Sequence, residues 1–468
     1  MSFKDVEGIT SESVKGLVVR VCGLGLMYLS TVLAANYLGA EQFGIFSSVL
    51  SLSPIWAIVA VGGVGLFATK SIATIPREDR GETAREVAIA YAAGSVGLIL
   101  VLILVALLWL LFTELGTEQK GKVLVYSMAI FPVMLIMSLR QNIALPIMGA
   151  ASAMFPEQIV LPVVFGALII VVEKLFSHCD TPLVIASYFI AALMAWSFGL
   201  ALLWKKGEFT KALWQKIKFR DIRRRFNLGR PFYFANVSTI VMSNAVTVLI
   251  SFLLGFKEAG MYFAASRLSG LCYIPLGVID QVVMPPAARF HNIGDHSSLL
   301  ALAKLSTSLG FLAGIFIALC IAILREPLLG LFGKEFEAAS NVLLILLVGQ
   351  TVNTLFGPNA ALMRMTGLEQ LYSRICCWAA FIFPLCVYVS ARWDGVELVA
   401  ICVSSMLIGL NVLQCLCLWH KRRLVVLPYG PAGLLVKLRE TAFAKQSWKL
   451  RLPWLKTIVN GSQDEIDS

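Results

Sequence analysis

Charge is what this sequence has least of. Asp, Glu, Lys and Arg make up 14% of its 468 residues, against about 25% in a soluble globular domain. So few charges cannot cover a water-facing surface of this size, and mean hydropathy is +0.81. A soluble fold is excluded. Histidine is equally sparse: His178, His291, His296 and His420 are scattered. With no Cys-x-x-Cys and no paired His/Cys spacing, no metal site and no cofactor are expected. Most of the ten cysteines lie within apolar runs, Cys179 excepted, where they act as small apolar residues. The N-terminus lacks the short basic region of a cleavable signal, since Lys4 and Lys15 mix with Asp5, Glu7 and Glu12. An uncleaved first helix is expected. Nucleotide motifs are missing too. GVGLFA at 63–68 follows no strand, and LFGKEF at 331–336 lacks the spacing of a phosphate loop.

Long apolar runs, by contrast, are plentiful. A helix needs roughly 20 mostly apolar residues to cross a ~30 Å hydrocarbon core. Twelve segments qualify: 16–37, 44–67, 86–112, 123–140, 156–173, 182–203, 231–254, 261–284, 303–324, 338–357, 371–390 and 397–418. Pro132 and Pro162 fall within spans, which neighbouring helices tolerate by satisfying the freed carbonyls. Of the 39 Lys and Arg, 30 fall on one side of these spans, seven on the other, and Arg20 and Arg267 within them. The positive-inside rule then puts both termini in the cytoplasm. The net charge of +11 needs no nucleic acid; it faces anionic inner-leaflet lipid.

The chain also repeats. LGAEQFGIFSSVLSL at 38–52 and LGFKEAGMYFAASRL at 254–268 share Leu, Gly, Gly and Leu at a single offset of 216 residues. Each joins the first two spans of a six-span half. An even number of spans makes the halves parallel repeats, a transporter architecture with its site between them. The expected fold is an all-α integral membrane protein of about twelve transmembrane helices in two six-helix bundles. The N-terminal bundle covers 1–203, a basic cytoplasmic linker 204–230, the C-terminal bundle 231–420 and a basic cytoplasmic tail 421–468. For the tail, an interfacial helix anchored by Trp448 and Trp454 and a disordered segment are both open readings.

Polar groups within spans are costly and so become candidates. Arg20 lies one to two turns into the first span; it either snorkels to the inner interface or faces a cavity. Arg267 lies deeper, among Ala264, Ala265, Ser266, Ser269 and Gly270. These small neighbours leave room for a guanidinium to enter a cavity, where its fork suits phosphate; a bundle-stabilising ion pair is the other reading. Asn236, Thr239, Ser243, Thr247 and Ser251 form one helical face of the seventh span, with Asn244 beside it. Such a stripe suits sugar hydroxyls and suits helix–helix hydrogen bonds equally. Asp280 is the deepest acid, a candidate for proton or sodium coupling, for neutralising an Arg, or for the inner mouth. Gln350, Asn353, Asn411 and Gln414 are weaker candidates. Arg140 is expected to anchor the inner end of its span, or else to meet a headgroup, and Glu157 to sit at a span end.

Two longer stretches carry a resemblance. ANYLGAEQFGIFSSVLSLSPIWAIVAVGGVGLFATK and AGMYFAASRLSGLCYIPLGVIDQVVMPPAARF resemble the paired signatures of O-antigen-type polysaccharide flippases, and ALMRMTGLEQL the turn after their tenth span. These belong to the multidrug/oligosaccharidyl-lipid/polysaccharide exporter superfamily, and the similarity runs over about residues 15–420. The resemblance implies a bacterial inner-membrane flippase with two six-helix bundles and a cationic cavity containing Arg267. Its substrate would be an undecaprenyl-pyrophosphate-linked oligosaccharide for surface polysaccharide, with a polymerase or ligase working alongside. A cation-coupled multidrug exporter of the same superfamily is the alternative; it calls for deep acids in the first half, where none is found. A membrane polysaccharide polymerase is more remote, since the outer loops are short and no soluble donor domain exists.

Overall fold

The computed structural model describes residues 3–61, 69, 72, 96–102, 118–176, 180–205, 219–424 and 426–429. Among them the regular structure is entirely helical. The elements run α1 (Phe3–Val61), α2 (Glu118–Met148), α3 (Ala150–Phe155), a π-turn (Pro156–Val160), α4 (Leu161–Phe176) and α5 (Thr181–Lys205). Then follow α6 (Phe219–Leu253), α7 (Phe256–Gly270), a 3-10 turn (Leu271–Tyr273), α8 (Ile274–Asn292) and α9 (His296–Ile323). The chain continues with α10 (Arg325–Gly330), a 3-10 segment (Lys334–Ala339), α11 (Ser340–Leu355), α12 (Asn359–Met365) and α13 (Glu369–Arg422).

Ten helices among the described residues are long and apolar enough to cross a membrane. The first, Val18–Ala60, carries two of the expected spans, because its backbone breaks at Gly39 (φ 71, ψ 172). The expected third span, 86–112, lies outside the described residues except for 96–102. Also outside them are Cys179, the linker core 206–218 and the tail from 430. The remaining spans coincide with helices, most of which outrun the apolar segments, although α11 falls inside 338–357 and 261–284 is shared by α7, the 3-10 turn and α8. α6 starts at Phe219, inside the segment expected to be a linker. Hydropathy marks only what the hydrocarbon contacts, whereas a helix propagates its hydrogen bonds into charged turns beyond it.

The repeated motif has a direct structural expression. Gly255 has φ 127 and ψ 168, so both copies leave the αR region at equivalent glycines, in a conformation that L side chains rarely adopt. Five residues on, Gly44 presses against the backbone of Phe256, and a Cβ there would overlap its carbonyl oxygen. Reciprocally, a Cβ on Gly260 would stand 2.5 Å from the carbonyl oxygen of Ala40. Ala40 and Phe256 are equivalent under the same offset, as are Gly44 and Gly260. The two copies thus cross one another by a reciprocal, backbone-to-backbone contact. Aromatic rings pack around it: Phe43 lies 5.8 Å from Phe263, 5.6 Å from Phe336 and 6.3 Å from Phe332, centroid to centroid. Phe46 stacks on Phe165 at 5.8 Å, and Phe165 meets Tyr188 edge-on at 5.2 Å.

A side chain at this crossing must force the halves apart. Gly44→Leu is expected to lower the thermal unfolding midpoint in detergent markedly or to give no folded protein. Gly25→Ala, where nothing lies within 4 Å, is expected to leave it unchanged. A Gly44→Leu protein melting like wild type would mean the halves do not cross at this point.

Candidate functional site

Away from the glycine crossing, α1 and the α7–α8 pair enclose a cleft of about 970 Å³, open mouth included. Its α1 wall is Arg20, Leu24, Met27, Tyr28 and Thr31, the i, i+4, i+7, i+8, i+11 face of one helix. The opposite wall is Ser266, Arg267, Gly270, Tyr273 and Gly277. The structure therefore brings Arg20 and Arg267 to one cleft from different halves of the chain. Both side chains are exposed to it. Neither forms an ion pair with a described residue. Arg267 lies over the ring of Phe263, 4.6 Å from its centroid. No Asp or Glu is among the described lining residues.

The α1 face behind Arg20 is fixed by packing. A Cβ on Gly16 would stand 2.8 Å from that of Ala150, and one on Gly23 2.6 Å from that of Gln158. One heptad further, Ser30 donates to the Pro162 carbonyl at 2.7 Å. This strip of small residues holds α1 against α3, the π-turn and α4, and turns the adjacent face toward the cleft.

Asp280 stands behind the cleft wall. The hydroxyl of Tyr273, itself a lining residue, donates to its Oδ2 at 3.2 Å, while Oδ1 is buried without a partner among the described residues. Arg364 of α12 acts on it electrostatically but does not reach ion-pair distance. Tyr273 and Tyr28 were not singled out from sequence. Both share a helical face with an arginine that was, and that spacing is the signal that finds them.

The α6 stripe contributes none of the described lining. Ser243 donates to the Ile240 carbonyl at 3.0 Å; Asn244 donates to that carbonyl at 2.9 Å and to the Ser243 hydroxyl at 2.8 Å. Thr247 is buried, Asn236 half-buried and Thr239 exposed. The 216-residue offset carries Arg20–Thr31 onto Asn236–Thr247, so the stripe is the counterpart of the α1 wall. The weaker candidates bond one another: Asn411 donates to Asn353 at 2.8 Å, and Asn353 to Gln350 at 3.2 Å.

Arg140 corrects an expectation. It does not reach an interface; its side chain is fully buried and its Nη2 binds the Glu157 carboxylate and the Ala153 carbonyl, the latter at 2.9 Å. Glu157 accordingly belongs to an interior pair, carried on the π-turn. Hydropathy ended the span at residue 140, but α2 continues to Met148, so Arg140 lies within the helix. Gly199 of α5 makes the room: a Cβ there would lie 2.5 Å from the guanidinium carbon.

The comparisons agree on the fold. A multidrug resistance MATE family transporter of the MOP superfamily, in its inward-facing conformation, superposes with a TM-score of 0.67 at 14% identity, over 92% of this chain and 99% of the other. An outward-facing structure of such a transporter gives 0.56 at 14% identity, over 93% and 96%. A MOP superfamily transporter from Pyrococcus furiosus, described as having a binding pocket of reverse polarity, gives 0.55 at 15%, over 88% and 95%. No curated protein matches in sequence. The profile of the polysaccharide biosynthesis protein family matches residues 16–291, and the chain belongs to that family.

Removing one member of a buried ion pair strands the other, at a cost of about 3–5 kcal/mol. Glu157→Gln is expected to lower the unfolding midpoint clearly. The double variant Arg140→Met with Glu157→Met is expected to recover most of it, as measured by heating the purified protein and following monomeric material. Equal melting of Glu157→Gln and wild type would mean the pair is solvated.

Proposed function

We propose that this protein is a flippase that carries a lipid-linked oligosaccharide repeat unit across the bacterial inner membrane for surface polysaccharide. The observation that carries the reading is the pairing of Arg20 and Arg267 in one cleft between the halves, without a carboxylate among the described lining residues. An anion fits such a site, and a diphosphate linker suits an arginine fork because the fork binds phosphate oxygens bidentately and stays charged at any working pH. Membership of the polysaccharide biosynthesis family supports a glycan as the cargo. The glycan would occupy polar surface, with the Asn236, Thr239, Ser243, Asn244 and Thr247 stripe of α6, outside the described cleft lining, as a further polar face, while the polyprenyl tail stays in lipid. The charge distribution supports cytoplasmic termini, and the better match to an inward-facing relative supports a cleft open to the cytoplasm. Alternating access then follows from rocking the bundles about the glycine crossing. A polymerase or ligase would consume the product outside.

A second reading, a cation-coupled multidrug exporter, draws on the MATE neighbours and on Asp280. That acid, bonded to a cleft tyrosine with one oxygen unpartnered, is the residue we assign to proton or sodium coupling under either reading.

Deleting the gene in the source bacterium separates these readings. Loss of surface polymer with lipid-linked units accumulating on the inner leaflet is expected. Intact polymer with new drug sensitivity would replace the flippase by the exporter, and single units displayed outside would point to a polymerase. Within the flippase reading, Arg267→Ala is expected to abolish translocation with normal membrane insertion, and Arg267→Lys to retain part of it. Full translocation by Arg267→Ala would exclude phosphate capture by this residue.

A further inference from the structure

The connection from α9 to α11 runs REPLLGLFGKEFEAA over residues 325–339. It lies on the side that the charge distribution assigns to the outside, where a connecting segment ordinarily faces water. Yet Leu329 and Phe332 are fully buried in it, and Phe336 is only 1% exposed. A tight turn presents the two rings together: Gly333 takes φ 128 and ψ 152, the Phe332 amide donates to the Leu329 carbonyl at 2.9 Å and the Phe336 amide to the Gly333 carbonyl at 3.0 Å. What the rings meet is the other half of the chain. Phe332 lies edge-on to Tyr28 at 5.6 Å and 6.3 Å from Phe43, and Phe336 lies 5.6 Å from Phe43. The Asn36 side-chain amide donates to the Leu331 carbonyl. These three partners belong to α1, and Tyr28 also lines the cleft. Phe43 stands next to Gly44 of the crossing. The segment therefore covers α1 from the end of the cleft to the glycine crossing.

The docking is one-sided. Under the 216-residue offset Phe332 and Phe336 answer to Gly116 and Lys120, so the first half has no aromatic pair at the equivalent positions. The segment is held to α1 in two ways. Its rings are held by burial and edge-to-face contact. The Asn36 bond is exposed, so water can replace it at little cost. Departure of the segment exposes two rings and breaks one such bond, while the backbone contact of Gly44 with Phe256 is left intact.

We propose that residues 325–339 are a plug that seals the outer end of the cleft, and that their withdrawal from Tyr28, Asn36 and Phe43 is the outer opening step of transport. A cargo in the cleft reaches the plug through Tyr28, whose ring supports Phe332 and whose hydroxyl is buried without a hydrogen-bond partner among the described residues. The need for an outer opening rests on the transport reading; the seal does not.

The test uses the full-length protein. The seal is read in proteoliposomes as the leak of iodide, a small anion suited to a cationic cleft. Docking is read as amide hydrogen exchange of residues 325–339, followed by mass spectrometry. Wild type is expected to be tight and protected. Phe332→Ala combined with Asn36→Ala is expected to leak and to speed exchange of this segment roughly tenfold or more. Phe332→Leu, which keeps the site filled and the protein folded, should shift both readouts the same way by less. Asn36→Asp keeps the size and loses the donor, and should speed exchange about fivefold. Leu331→Ala alters an exposed side chain and leaves the accepting carbonyl in place, so it should behave as wild type. In cells, Asn36→Cys with Leu331→Cys, joined by a disulfide in the oxidising outer compartment, is expected to block display of surface polymer until a reductant is added, with each single variant active. Display of polymer with the disulfide formed, or plug variants as tight and as protected as wild type, would overturn the plug. Leaking plug variants, in a strain whose polymer survives deletion of the gene, would keep the seal and overturn the flippase reading. Loss of polymer on deletion, with plug variants still tight and protected, would do the reverse.

Discussion

No side chain fits between the two copies of the repeated motif where they cross. Gly44 lies on the backbone of Phe256 and Gly260 on that of Ala40, so the helices approach as closely as main chains allow. In a membrane this matters more than in water. Lipid tails are as apolar as leucine, so helix association depends on van der Waals contact, and small residues supply it by letting backbones touch. The aromatic cluster of Phe43, Phe263, Phe332 and Phe336 fills the space around the crossing. With the halves pinned there, divergence away from that point opens a wedge between them, and the Arg20–Arg267 cleft is that wedge.

The same constraint explains why three arginines within helices have two different fates. A guanidinium in an apolar environment needs a counter-charge or water. Arg140 has no access to the cleft and takes Glu157, with Gly199 giving up its side-chain volume to admit it. Arg20 and Arg267 have the wedge and keep solvent contact. Interior pairing holds one bundle together; exposed cations with no ion-pair partner among the described residues leave charge available to something else. The distinction between structural and ligand-directed charge is thus made by whether a glycine opens the interior or the wedge opens the interface.

Hydropathy made most helices legible. α5, at Thr181–Lys205, departs from the expected 182–203 by one or two residues because its apolar run and its helix nearly coincide. Where they do not coincide, the reading fell short. α6 begins in basic sequence, and α2 outlasts the apolar segment that ended at Arg140. Both misplacements have one cause: hydropathy reports contact with hydrocarbon, and a helix continues as long as its hydrogen bonds do. The Arg140–Glu157 pair was illegible for a further reason. The two residues are 17 apart on different helices, and only tertiary packing through the π-turn faces them. Arg20 and Arg267 stood out because an unmatched charge in an apolar run is visible without a fold, although their convergence on one cleft was not.

The repeat preserves scaffold and discards chemistry. Under the 216-residue offset the glycines that set the crossing persist, since losing either would separate the halves. Most of the cleft residues do not persist: Arg20 answers to Asn236, Tyr28 to Asn244, and Arg267 to Ser51, while Thr31 keeps its threonine at Thr247. The α1 wall of the cleft is cationic, and its counterpart on α6, outside the described lining, is amide and hydroxyl. Symmetry in the backbone sets how the two bundles cross, and asymmetry in the side chains gives the two halves unlike chemistry on that common frame.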